Sequence, residues 1–371
     1  MAEPSVDNEN SSLETPTTNI ILTHPILDSP VMIAIHASVL IFCAITGAVG
    51  NALIFLAVAV TPRLQTLVNS YIVNLAVSDF LVCVIVTPFT ALTVIDKGWT
   101  LSTIGCYIIA YMNWIFISVS LYLLLLIALS RYCLVSKPHV TFRKYCRPST
   151  VTFYIVYVWL SALLTVVMLH FCLKSGVKYD PIWGMCATDY NTPVMSVYAP
   201  VMSAVSLMIC FVVIPAQYWL TFRAIRKSRL RVTGDDVPSS QSSQQGGLTR
   251  SISRKPYISK GEIRMTRISL IIFIIFVMCW APLLIVYMLG NVFPKLLTGM
   301  RFCVLLLLSN STINPYLYAW LNKNFRSAIV HVLTRGKRRV EPMTTDDNNN
   351  LPTRRMALDV LPKSSVRTQR L

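Results

Sequence analysis

Asp79 is a carboxylate set between two charge-free apolar runs, Leu64 to Ser78 and Phe80 to Ile95. Asn310, Ser311 and Asn314 stand in another such run at spacings of one and three, which can place them on one interior arc of a helix. Ser120 offers a further oxygen from a third run. Hard cations take oxygen ligands alone, so this set can hold sodium; the alternative is that the groups hydrogen-bond one another through water. Arg131-Tyr132 closes the Gly98 to Ser130 run, and Glu262 is an acid in a strongly basic segment at a matching depth. Alone, Arg131 reads as a snorkelling anchor; with Glu262 it reads as half of an ion pair. The five histidines, His24, His36, His139, His170 and His331, are scattered with no metal-ligand or nucleophile spacing, so no enzymatic constellation is present.

The elements that must position these residues are membrane helices. Hydrophobic residues make up 54% of the 371 and charged residues 13%, against about 25% charged in a soluble domain. Charge-free stretches run from Ser29 to Pro62, Leu64 to Ser78, Phe80 to Ile95, Gly98 to Ser130, Pro148 to Leu173, Tyr190 to Phe222, Ile268 to Pro294 and Phe302 to Asn322. The second and third are one segment interrupted by Asp79, which gives seven spans of the roughly 20 residues a bilayer requires. Helix satisfies its own backbone in lipid, so an all-α, seven-transmembrane bundle is expected. An ionisable residue inside such a span is costly and marks function. With the N-terminus outside, only Lys97, Lys174, Lys178, Lys295 and Arg301 of the 33 basic residues face outward, as the positive-inside rule requires. The net charge of +17 is then a basic cytoplasmic rim facing anionic lipid and a partner protein, not a nucleic-acid surface.

Residues 1–30 form an extracellular tail with no signal-peptide core, and Asn10 heads a glycosylation sequon there. Asn310 heads a second sequon, buried in the last span. The bundle occupies 31–322 and includes a flexible cytoplasmic loop, 227–259, built around a Ser/Gln/Gly run too polar to fold. An amphipathic helix at 323–335 lies on the membrane, followed by a disordered tail, 336–371. Cys106 and Cys186 sit at the outer, oxidising side and are expected to form a disulfide, with Cys172 and Cys303 as competitors for either partner. Pro282 in Cys279-Trp280-Ala281-Pro282, Pro315 and Pro215 should each kink a helix.

In order, these residues resemble the rhodopsin-like G-protein-coupled receptors along the whole bundle: Gly50-Asn51, Asn74 to Asp79, Cys106 with Arg131 twenty-five residues on, Trp159, Pro215, Cys279 to Pro282, Asn314 to Tyr318, and Phe325. The resemblance implies a plasma-membrane receptor whose Arg131, Tyr132 and Tyr318 serve coupling to a heterotrimeric G protein. Glu262 falls where family members place the acid that pairs with the arginine at rest. Asp79 with Ser120, Asn310, Ser311 and Asn314 resembles the family's sodium pocket, and no other cofactor is implied. Two departures stand out. Ser130 occupies the place of the usual acid beside Arg131, which implies some ligand-independent signalling, and Arg223 stands where counting from Pro215 calls for a tyrosine, so the fifth helix's activation contact does not follow from the resemblance.

The implied ligand pocket is lined by Asn113, Trp114, Ile117, Trp280, Leu283 and Tyr287. Asn113 replaces the aspartate of amine receptors and Leu308 the retinal lysine of opsins, so a neutral or lipid-like small-molecule agonist fits best. Gly98-Trp99, Arg131 to Cys133 and Tyr179 to Pro181 before Cys186 resemble melatonin receptors, which implies inhibitory coupling. Leu169, Thr188 and Tyr190 depart from their ligand-holding positions. Leu64 to Thr66 and Ile127 to Tyr132 resemble the medium-chain fatty acid receptor. Ser242, Ser243, Thr344 and Thr345 are candidate phosphorylation sites for desensitisation, with arrestin as the candidate partner. A small-solute transporter and an uncoupled decoy receptor are the competing readings; a transporter would carry repeats, and none is found.

Overall fold

The computed structural model describes residues 29–136, 147–189, 192–235, 260–290 and 292–334. The Asn10 sequon, Tyr190, Ser242, Ser243, Thr344 and Thr345, most of the 227–259 loop and the 336–371 tail lie outside them. Among the described residues, seven helices are long and apolar enough to cross a membrane: Pro30–Val60, Leu67–Ile95, Thr103–Val135, Pro148–Cys172, Pro193–Ser228, Gly261–Gly290 and Pro294–Leu321. Asp79 falls inside the second, so the two short apolar runs are one span. An eighth helix, Lys323–Leu333, follows.

Local chemistry sets where the spans begin. Ser29 accepts a hydrogen bond from the Met32 N–H with Pro30 in the first turn, and Thr192 caps the fifth span in the same way ahead of Pro193. Asn322 ends the seventh span in an extended conformation and caps the short helix by accepting from the Asn324 N–H at 3.0 Å. Large apolar side chains remain exposed around the outside, Phe42, Phe153 and Met278 among them, as lipid permits.

Prolines act before their own position. Wide π-turns occupy Val82–Val86, ahead of Pro88, and Ile209–Val213, ahead of Pro215, because the proline ring displaces the carbonyl one turn back. The fifth span's helix then continues to Asp235. The cytoplasmic loop therefore begins later than 227; the Arg- and Leu-rich stretch before it is a good helix former, which outweighs the polar Thr233-Gly234-Asp235 end.

The first and seventh spans pack closely. A Cβ on Gly50 would come within 2.9 Å of Pro315, and Asn51 donates to the carbonyls of Gly47 and Ser311, both at 2.9 Å. The proline-broken seventh helix is thus held by a neighbour's amide. Trp159 donates its indole N–H to Asn74 Oδ1 at 3.2 Å, joining the fourth span to the second.

Candidate functional site

Three polar clusters lie along the bundle. In the middle, Asp79 is fully buried and its Oδ2 accepts from Asn314 Nδ2 at 2.7 Å. Ser120, Asn310, Ser311 and Asn314 are also buried. Ser120 shares a hydrogen bond with Ser78 at 3.3 Å, and Ser78 is 3.1 Å from the Phe116 carbonyl. Asp79 Oδ1, Asn310 Oδ1 and Asn314 Oδ1 are buried acceptors without a hydrogen-bond partner. Three partnerless buried oxygens, one of them on the carboxylate itself, suit a small cation, since each otherwise bears an uncompensated desolvation cost of about 1–3 kcal/mol.

At one end of the bundle Arg131 is 5% exposed, and its Nε and Nη2 have no hydrogen-bond partner. Tyr318, Tyr218 and Glu262 lie within electrostatic reach of it. Ser130 donates to the Ile127 carbonyl at 2.7 Å, so its hydroxyl is spent on its own helix and does not restrain the guanidinium. Tyr132 beside it is half-buried. Tyr318 stacks on Phe325 of the eighth helix, with ring centroids 5.3 Å apart. Two further bonds tie the sixth span to the end of the seventh: Arg264 Nε donates to the Leu321 carbonyl at 3.0 Å, and Asn322 Nδ2 approaches Met265 Sδ at 2.8 Å.

Tyr218 corrects the expectation for the fifth span. The count from Pro215 pointed to Arg223, but Arg223 lies over the exposed Trp219 ring at 5.3 Å. The irregularity of this helix is the π-turn containing Cys210, and eight residues beyond Cys210 stands Tyr218. Tyr218 is 3% exposed, lies beside Phe273 with tilted rings 6.1 Å apart and is within electrostatic reach of Arg131. A tyrosine hydroxyl inside the run Ile214 to Phe222 was the available signal.

At the opposite end Cys106 and Cys186 form the disulfide, and Cys172 and Cys303 are free. Cys186 lies on a hairpin of β1, Val177–Asp180, and β2, Met185–Thr188, paired antiparallel with Tyr179 opposite Cys186. Asp180 Oδ1 caps the turn by accepting from the Ile182 N–H at 2.8 Å, and Gly184 turns the chain with φ +67°. Burial pushes the Asp180 carboxyl above its ordinary range, against the pull of the Ile182 and Trp183 N–H donors. Arg301 donates twice to the Pro181 carbonyl, at 3.1 and 3.0 Å, and Thr93 donates to the Gly184 carbonyl at 2.7 Å. Nothing in the sequence around Arg301 or Thr93 marks either as a tie, because a backbone carbonyl is an acceptor any residue can supply.

Beneath the hairpin lie the expected pocket residues. Trp114 donates to Thr188 Oγ1 at 2.8 Å, Trp183 faces Tyr287 with centroids 6.1 Å apart, and Trp280 stacks on Phe276 at 5.7 Å. Leu283 is buried, Ile117 partly so. Asn113 brings a buried Oδ1 with no partner, the lone orphaned oxygen in this apolar and aromatic set.

A bundle of seven spans with partnerless buried oxygens in its middle, a buried arginine with two partnerless nitrogens at one end and a disulfide-pinned hairpin at the other has the build of a membrane receptor. The model of the 7 transmembrane receptor (rhodopsin family) matches residues 50–318, and the chain belongs to that family. It is similar to the melatonin receptor type 1A of Ovis aries, 24% identical over 78% of this chain and 75% of that protein. It is also similar to melanopsin of Felis catus, 28% identical over 80% of this chain and 60% of that protein. In fold it matches squid rhodopsin with a TM-score of 0.66 over 82% of this chain and 86% of that chain, at 20% identity.

Proposed function

We propose that this receptor stands in the plasma membrane with its N-terminus outside and passes a small-molecule signal to a cytoplasmic heterotrimeric G protein. The observation that carries this reading is Arg131: a guanidinium almost wholly buried, with two donor nitrogens unpaired, at the end where basic residues concentrate. A buried unpaired cation is costly unless a state exists in which it is used. An outward swing of the sixth span, releasing Glu262 and the Arg264 tie, opens that end, and Arg131 with Tyr132, Tyr218 and Tyr318 then meets the G protein. Glu262 biases the equilibrium toward rest; Ser130, bonded to its own helix, does not, so part of the population signals without ligand.

At the outer end, the aromatic and apolar lining with a single orphaned acceptor at Asn113 Oδ1 suits a neutral, lipid-like ligand that brings one hydrogen-bond donor. Likeness to melatonin receptors favours inhibitory coupling. Sodium would be held by Asp79, Asn310 and Asn314, with Ser120 and Ser311 beside them. When bound it supplies a counter-charge for the Asp79 carboxylate and joins the second span to the seventh, which favours rest. Arrestin would follow phosphorylation of the third loop and tail.

Cyclic AMP in cells expressing the receptor tests this, with wild type beside Arg131→Ala and a panel of indoleamines, fatty acids and other small lipids. A fall in cyclic AMP that needs Arg131 is the expected result. Silence in every second-messenger channel, with the receptor on the surface, would leave only an uncoupled member of the family.

A further inference from the structure

At the Arg131 end, the sixth span meets the end of the seventh through Met265 and Asn322. Asn322 is 5% exposed and both halves of its amide are engaged: Oδ1 caps the eighth helix by accepting from the Asn324 N–H at 3.0 Å, and Nδ2 is directed at Met265 Sδ from 2.8 Å. A thioether is a weak acceptor, so this buried donor is poorly matched. Arg264, one residue before Met265, donates to the carbonyl of Leu321, one residue before Asn322, and the two contacts form a single latch between the spans. Met265 is only half-buried, so its sulfur is not sealed in the core. Among the described residues it is the only methionine at this end; the others lie midway along the spans, as Met208 and Met278 do, or toward the hairpin.

We propose, on the orientation and coupling given above, that Met265 is a site of reversible oxidation by a cytoplasmic peroxide and that its sulfoxide tightens the latch. A sulfur lone pair attacks one peroxide oxygen; the S–O bond forms as the O–O bond breaks, and the displaced hydroxide takes the proton from the oxygen now on sulfur and leaves as water. Sulfur is oxidised and the peroxide is reduced, with no further reactant. The new oxygen is a far better acceptor than the thioether, and the unbranched methionine chain has the freedom to turn it to the Asn322 amide. Oxidation ordinarily loosens packing, because it places a polar group among apolar ones. Here the sign reverses: a poorly matched donor already stands at the sulfur, and the exposed Arg264 and Lys323 on either side mark the water boundary. A firmer latch favours the state in which Arg131 is enclosed.

The test treats the full receptor in nanodiscs with hydrogen peroxide and compares wild type, Met265→Leu and Asn322→Ser, each with itself before and after. Serine keeps the helix cap and removes the amide. Peptide mapping should find the mass of one oxygen on Met265 ahead of Met208 and Met278. Wild type should then melt at a higher temperature and show a fall of about threefold in ligand-independent nucleotide exchange on a G protein, the worth of one improved hydrogen bond. Methionine sulfoxide reductases should reverse both changes. Met265→Leu should show neither, and Asn322→Ser should take up the oxygen without either. If wild type drives no exchange even before peroxide, the coupling falls while the melting temperature still decides the latch. Oxidation of Met278 as readily as Met265, an unchanged or lowered melting temperature in wild type, or an equal response from Asn322→Ser overturns the site.

Discussion

The two ends of the bundle solve opposite problems. At the hairpin end the hairpin is tied to three spans: the disulfide joins β2 to the third, Arg301 reaches from the seventh, Thr93 from the second, and Trp114 of the third bonds to Thr188. At the other end a buried arginine keeps two donors unpaired, and the sixth span meets the seventh through one side-chain-to-carbonyl bond and one contact to sulfur. Polar groups that are paired hold a shape; polar groups left unpaired in the interior wait for a partner. On the proposed function, one end serves as a fixed frame for a ligand and the other as the moving part.

That contrast can be broken by removing its strongest tie. Cys106→Ser should cost about 2–5 kcal/mol, seen as lost surface expression and a lowered melting temperature. Normal folding of that variant would mean that the hairpin is held by its hydrogen bonds alone. The middle of the bundle should respond next. Sodium at about ten times its dissociation constant should stabilise wild type by about 1.4 kcal/mol, read as a rise in melting temperature that is absent in Asp79→Asn; an equal rise in both would remove the cation site. At the moving end, Arg264→Gln deletes the bond to the Leu321 carbonyl. It should raise ligand-independent G-protein activation about fivefold, the equivalent of roughly 1 kcal/mol, and lower or unchanged basal activation would show that the bond does not hold the resting state. The smallest change is expected from Thr188→Val, about 0.5–1 kcal/mol of stability for one bond from Trp114, measured by thermal unfolding, with coupling unaffected.

Much of this was legible in the residues, for uneven reasons. The seven spans could be read because lipid demands long charge-free runs; the disulfide could be read only in part, because Cys172 and Cys303 stand near Cys106 and Cys186 and position alone does not choose among them. Asp79, Asn310 and Asn314 stood out as polar groups in apolar runs. Tyr218 did not, because the π-turn around Cys210 shifts the helix register while the count ran from Pro215. The ties of Arg301 and Thr93 were illegible for a different reason: they end on the backbone of Pro181 and Gly184, where no side chain signals an acceptor.

Nucleotide exchange on a purified heterotrimeric G protein, driven by the receptor in nanodiscs without ligand, reaches the centre of this reading. Wild type should accelerate exchange above the receptor-free rate, and Arg131→Ala, equally well folded, should return it to that rate. Equal exchange by the two, or none above background by wild type, would contradict the assignment of Arg131 as the buried cation held ready for the G protein.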